Sequence, residues 1–194
     1  MKIYDISHEM FTADVFPSDP KPYYRPVLSI PKGDPCNLSL LELGSHNGSH
    51  MDAPRHFYAD GRTIDQLDLY KCVGLCTLIE HNGELGRREI EALTAFSMKR
   101  LLIKGTITIT VEAAEALVEY GYEFLGVEGL TVGTNDTSKD VHRILLQPKA
   151  ELVIAENLHL SEVPAGEYFL VCVPLKLGGL DGSPCRAILI QEEA

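Results

Sequence analysis

The chain has 194 residues, 45% hydrophobic and 23% charged, and its 28 acids against 17 Lys and Arg leave a formal charge of −11. That much apolar material can offset the entropy of ordering, which excludes a disordered chain, and the length suits one domain over 1–194 that stands without disulfide staples. The acidic balance argues against a nucleic-acid backbone binder, no window approaches the ~18 apolar residues of a membrane span, and the acids of MKIYDISHEM stand where a signal peptide would be apolar, so a cytoplasmic protein is expected.

In chain order, Lys2 to Ile6 reads as a first strand. Six prolines follow between Pro17 and Pro35, and Pro54 continues the pattern into the next loop, so no long helix can form there and a Pro-rich arm, extended or looped, is expected. Short apolar runs then predict strands at Leu38 to Leu43, Cys72 to Ile79, Arg100 to Ile103, Phe124 to Val127, Leu152 to Ala155, Tyr168 to Val173 and Ala187 to Gln191. Three helices are predicted among them. Arg88 to Phe96 carries apolar residues at helical spacing; Val111 to Tyr120 follows a Thr110 N-cap and stops at Gly121; Ser138 to Leu146 follows Thr137, with Asp140 three residues on in a capping-box-like start. The class is α/β with more strand than helix, a mixed sheet or partial barrel flanked by helices.

Five cysteines form no C-x-x-C pair, and their odd number argues against a complete disulfide framework. Cys72, Cys76 and Cys172 lie in apolar runs and read as small buried hydrophobes, whereas Cys36 and Cys185 each stand beside a proline, where a reactive thiol is conceivable.

Residues 44–57, GSHNGSHMDAPRHF, pack His46, His50, Asp52 and His56 into eleven positions, with Gly44, Gly48 and Pro54 as turn residues. His46 and His50 would share a helix face, but Gly48 and Pro54 argue against a helix. In a short extended segment, His50 and Asp52 point to the same side, where a cation held by His46 from the loop meets both. Imidazole nitrogen with carboxylate oxygen suits Zn²⁺ or Mn²⁺, and three protein ligands leave a coordination position open for water. About ninety residues on, His142 falls in the third predicted helix and Glu156 follows a predicted strand. They gain meaning as partners of the first cluster: Asp52 has two oxygens and could bridge two cations, with His142 and Glu156 completing the second.

The segment His46 to His56 resembles the H-x-G-T-H-x-D-x-P-x-H signature of the cyclase family of metal-dependent hydrolases, whose best-known members are bacterial kynurenine formamidases; Ser49 replaces its Thr. YDISH at Tyr4 to His8, FPSDP at Phe16 to Pro20, DGRTIDQL at Asp60 to Leu67 and PLKLGGLDGSPCRAILI at Pro174 to Ile190 are similar to further family elements. The resemblance implies the swivelling β/β/α fold and a homodimer or homotetramer. It implies that His46, His50 and Asp52 hold one cation, that Asp52 bridges to a second held by His142 and Glu156, and that His56 is the acid-base residue. It also implies hydrolysis of a small amide, with N-formyl-L-kynurenine as the substrate class. At Gly126 to Gly133 this chain reads GVEGLTVG, with Glu128 and Thr131 in the places of a family Asp and Ser, which leaves room for a cyclic amide or ester of the isatin type. No residue is assigned to substrate contact, although Phe11, Phe16, Tyr23, Tyr24, Phe57 and Tyr58 flank the cluster in sequence.

The expected chemistry is that of a cation lowering the pKa of bound water from ~15.7 to about 7 and polarising the carbonyl, while His56 moves the proton. Two other classes compete. A metal-binding protein without catalysis would show a closed coordination shell, and thiol chemistry through Cys36 or Cys185 would survive metal chelation.

Overall fold

The computed structural model describes residues 1–134, 136–150 and 152–192. The strands are β1 (Lys2–Asp5), β2 (Tyr23–Leu28), β3 (Leu38–Glu42), β4 (His50–Asp52), β5 (Val73–Glu80), β6 (Gly83–Leu85), β7 (Arg100–Lys104), β8 (Ile107–Ile109), β9 (Phe124–Val127), β10 (Val153–Glu156), β11 (Gly166–Pro174) and β12 (Gly182–Gln191). The helices are α1 (Arg87–Leu93), α2 (Val111–Glu119) and α3 (Ser138–Leu145).

Seven strands close a ring in the order β4, β12, β11, β5, β7, β9, β10 and back to β4. β5, β7, β9 and β10 run parallel to their neighbours in that series, and the remaining pairs are antiparallel. The long β12 makes closure possible. Residues 188–191 pair with β1, whereas 182–184 pair with β4, so one edge serves two strands.

The two-residue period of each strand sorts its side chains between two cores. Leu78, Leu102, Phe124, Val153, Ala155, Leu170 and Leu189 fill the barrel interior together with Met51 of β4. Leu101, Ile103, Leu125 and Ile154 point outward against α1, α2 and α3, through Ile90, Ala113, Leu117, Val141 and Leu145. Cys72, Cys76 and Cys172 are buried as small hydrophobes, with Cys36 exposed and Cys185 half-buried. The expected α/β class, with a mixed sheet closing into a barrel and helices on its flank, is what the chain forms.

Three local expectations differ. The strand predicted at 187–191 begins at Gly182, because Gly, Ser and Pro at 182–184 carry no strand propensity of their own and are held by β4. The Pro-rich arm contains a strand that its prolines hid: β2 pairs with β3 in a separate two-stranded ribbon, with a register shift between Pro26 and Leu28. Thr137 does not cap α3, since its Oγ1 accepts a hydrogen bond from the Thr134 amide at 3.0 Å. The Thr110 cap forms as expected, accepting from the Ala113 amide at 3.1 Å, and Gly121 adopts φ +68° where α2 ends.

Candidate metal centre

Sheet register builds the site. Met51 points into the barrel, so His50 and Asp52 on either side of it point out, and His50 lies opposite Glu156 on β10. α3 brings His142 over the same face, and the loop ahead of β4 folds His46 onto Gly182 of β12. A Cβ on Gly182 would lie 2.5 Å from His46 Cε1, so glycine is what lets that ring approach.

Backbone carbonyls set the tautomers. Gly48, at φ +63°, turns its carbonyl to accept from His50 Nδ1 at 2.9 Å. The Ser138 carbonyl, one helical turn back, accepts from His142 Nδ1 at 2.7 Å. Each imidazole therefore presents Nε2 to the carboxylates, the outer-sphere arrangement of a metal-binding histidine. His50 Nε2 lies 3.3 Å from Glu156 Oε2 and 3.7 Å from Asp52 Oδ1. His142 Nε2 lies 3.2 Å from Glu156 Oε1 and 3.4 Å from Asp52 Oδ2. His46 Nδ1 meets Asp52 Oδ1 at 2.9 Å.

Asp52 is 1% exposed and Glu156 4%. Burial pushes both carboxyls up, and the surrounding imidazoles more than reverse this, holding Asp52 well below and Glu156 below the usual carboxylate range. Burial lowers His46 and His142, yet the carboxylates facing them win and raise His46 to about 9 and His142 to about 10. Although His142 Nε2 lies 3.4 Å away, Asp52 Oδ2 is a buried acceptor that no donor among the described residues reaches with hydrogen-bond geometry. Such an orphan is rare in a folded protein, and a divalent cation satisfies it. The donor set therefore fits a metal.

Among the described residues, donor atoms within 4.8 Å of one another form two groups, His46 with Asp52 and His56, and His50 with Asp52 and Glu156. Asp52 belongs to both, as a bridging carboxylate would. The partition differs from the expected one: His50 groups with Glu156, while His56, expected as an acid-base residue, stands within ligand range of His46 and Asp52. His142 faces both carboxylates.

His56 ends a short 3₁₀ turn opened by Pro54, and its ring centroid lies 4.0 Å from that of His46. Burial, then the charges of His46 and His142, lower its pKa against the opposing pull of Asp52 and Asp181. Asp181 is the site residue that sequence reasoning missed. It lies inside the matched closing run and one position ahead of β12, and its Oδ2 reaches His46 Nε2 at 2.8 Å. No local pattern distinguished it from an ordinary turn Asp-Gly.

A cavity of about 220 Å³ is lined by the site histidines and Glu156, together with Phe16, Ser18 and Asp19 of the arm and Phe57, Thr131 and Ser138. Phe57 stacks on His142 with centroids 4.7 Å apart. Thr131 Oγ1 and Ser138 Oγ share a hydrogen bond of 2.7 Å at the wall. Glu128 serves the backbone instead, accepting from the Gly105 amide at 2.6 Å and the Leu160 amide at 3.0 Å. Ser49 accepts from the His8 amide at 2.9 Å and donates to the Asn157 carbonyl at 2.5 Å, which any hydroxyl at this place could do.

Known proteins share this architecture. The chain superposes on a solved structure described as a potential metal-dependent hydrolase with cyclase activity, with a TM-score of 0.82, 26% identity and coverage of 100% of this chain and 99% of that one. It shares the fold of isatin hydrolase A from Labrenzia aggregata, with a TM-score of 0.83 at 19% identity over 99% and 94% of the two chains. Kynurenine formamidase of Delftia acidovorans is 32% identical over 97% of each chain. Fold, site and relatives together define an enzyme, a hydrolase with a buried cluster of imidazoles and carboxylates that could hold a metal ion. The Cyclase family model matches residues 4–134, and the chain belongs to the cyclase family.

Proposed function

We propose that the protein is an amidohydrolase that cleaves the C–N bond of a small amide, with N-formyl aromatic amines of the N-formyl-L-kynurenine type as its substrate class. The observation that carries this reading is the orphaned Asp52 oxygen among imidazole and carboxylate donors that line a cavity with aromatic walls. The formamidase relative, matched along nearly its whole length, supports the substrate class.

Asp52, Glu156, His46, His50 and His142 would hold one or two divalent ions, Zn²⁺ or Mn²⁺. A cation there supplies a Lewis acid for the carbonyl and acidifies water. His56, lowered by burial and neighbouring imidazoles, is neutral at pH 7 and can accept a proton, then return it to the leaving nitrogen. Phe16 and Phe57 offer apolar surfaces to an aromatic substrate, and the Thr131 and Ser138 hydroxyls offer polar contacts. A cyclic amide opened at its C–N bond is the second reading, favoured by Thr131 at the cavity wall. No helix among the described residues is long and apolar enough to cross a membrane, and cytoplasmic location belongs to the same reading.

Elemental analysis beside a hydrolysis panel of N-formylkynurenine, other N-formyl anilines, isatin and lactones tests it. Chelator should abolish turnover and added Zn²⁺ or Mn²⁺ restore it, while His56→Ala should lose about 10²- to 10⁴-fold in kcat with metal retained. Turnover that survives chelation sinks the reading, and loss of metal with His56→Ala makes His56 a ligand.

A further inference from the structure

Asp181 stands where two imidazoles meet. Its Oδ2 lies 2.8 Å from His46 Nε2 and 3.5 Å from His56 Nδ1, and its Oδ1 accepts from Ser45 Oγ at 3.2 Å. Its backbone carbonyl accepts from the Ala53 amide at 2.9 Å, and the His56 amide donates to the Ala53 carbonyl at 2.9 Å. The carboxylate is thus tied to the turn that carries His56. The next residue, Gly182, is the one that lets the His46 ring lie against β12.

A carboxylate only accepts, so each imidazole nitrogen facing it must carry a proton. For His46 this turns Nδ1 toward Asp52 and the metal centre. For His56 it places the proton on Nδ1 and leaves the lone pair on Nε2. The 3.5 Å separation is long for a hydrogen bond, but catalytic hydrogen bonds in ligand-free sites commonly tighten when the complex forms.

We propose that Asp181 is a positioning residue, one carboxylate that orients the metal-facing His46 and selects the His56 tautomer whose Nε2 accepts the substrate-side proton. The proposal rests on the amidohydrolase reading for its catalytic consequence and on geometry alone for the tautomer. Outer-sphere partners of this type are worth about 10- to 100-fold in activity or metal affinity.

Two readouts test it separately. Long-range ¹H–¹⁵N spectra of the histidine side chains, recorded with and without added Zn²⁺, should show His56 protonated on Nδ1 in the wild type and shifted toward the Nε2–H form in Asp181→Ala. An unchanged tautomer overturns the proposal. In turnover assays with Zn²⁺ held saturating, so that the His46 contact does not limit metal occupancy, Asp181→Ala should lower kcat about 10- to 100-fold with KM nearly unchanged, and should add little in a His56→Ala background. Equal losses in both backgrounds would show that Asp181 does not act through His56 and would overturn the proposal. The near-isosteric Asp181→Asn, whose amide oxygen can still accept from Nδ1, should recover part of kcat; if Asn is as impaired as Ala, positioning is refuted. Should the wild type hydrolyse nothing in the panel, the functional reading fails while the spectra still decide the role of Asp181.

Discussion

His46 and His142 each face two carboxylates, and this crowding sets the pH behaviour of the centre. Their pKa values of about 9 and about 10 lie above the ordinary imidazole value of ~6.5, so both are charged at pH 7 in the metal-free protein. The stability they contribute is therefore fully present below ~6.5 and is lost as pH rises through 9 to 10. A cation requires neutral imidazole, so its binding must expel protons. Calorimetric titration of Zn²⁺ at pH 7 in buffers of different ionisation enthalpy should report net proton release, and the thermal midpoint of the metal-free protein should fall between pH 7 and pH 10. Metal uptake without proton release would contradict this charge state. Four of the residues concerned were legible from their crowding between 46 and 56, since metal-binding side chains seldom cluster so tightly by chance. Glu128 and Ser49 show the opposite: their place in the pattern was legible, but their work for the backbone was visible only once their partners were in place.

At the scale of elements, the site depends on two short strands with little strand character. β4 holds three residues, and the first three of β12 are Gly, Ser and Pro. Neither would persist alone, and each completes the other's hydrogen bonding where the ring closes. This is why helices with caps and strands with β-branched runs could be read locally, while the closing seam could not. Gly182 sits at that seam. Gly182→Ala would drive a methyl into His46 Cε1, so the ring must move; metal affinity measured by chelator competition should fall about tenfold or more, with the far-UV circular dichroism unchanged. Unaltered affinity would mean that His46 is not a ligand.

At the scale of the whole molecule, we propose that the ribbon of β2 and β3 is covered by a second copy of this chain. Tyr24 and Leu41 are paired across the ribbon, Leu38 and Leu40 alternate with Ser39 along β3, and all four are roughly half exposed. A two-stranded ribbon is marginal in water, and apolar side chains on both its faces need cover. The expected assembly is a homodimer or homotetramer, so light scattering should report at least two 21.4 kDa chains, and Leu38→Ser with Leu40→Ser should lower that mass. A monomeric wild type would refute the assembly.

By itself the sequence determined the α/β class, the three helices, most strands and which imidazole and carboxylate side chains crowd between 46 and 56, because periodicity, capping and residue spacing act over a few residues. Tertiary structure decided which strands close the barrel, that Glu156 lies opposite His50, and that Asp181 reaches back across more than a hundred positions to His46 and His56. Those contacts follow from sheet register, which depends on how distant strands pack together and leaves no mark in either strand alone.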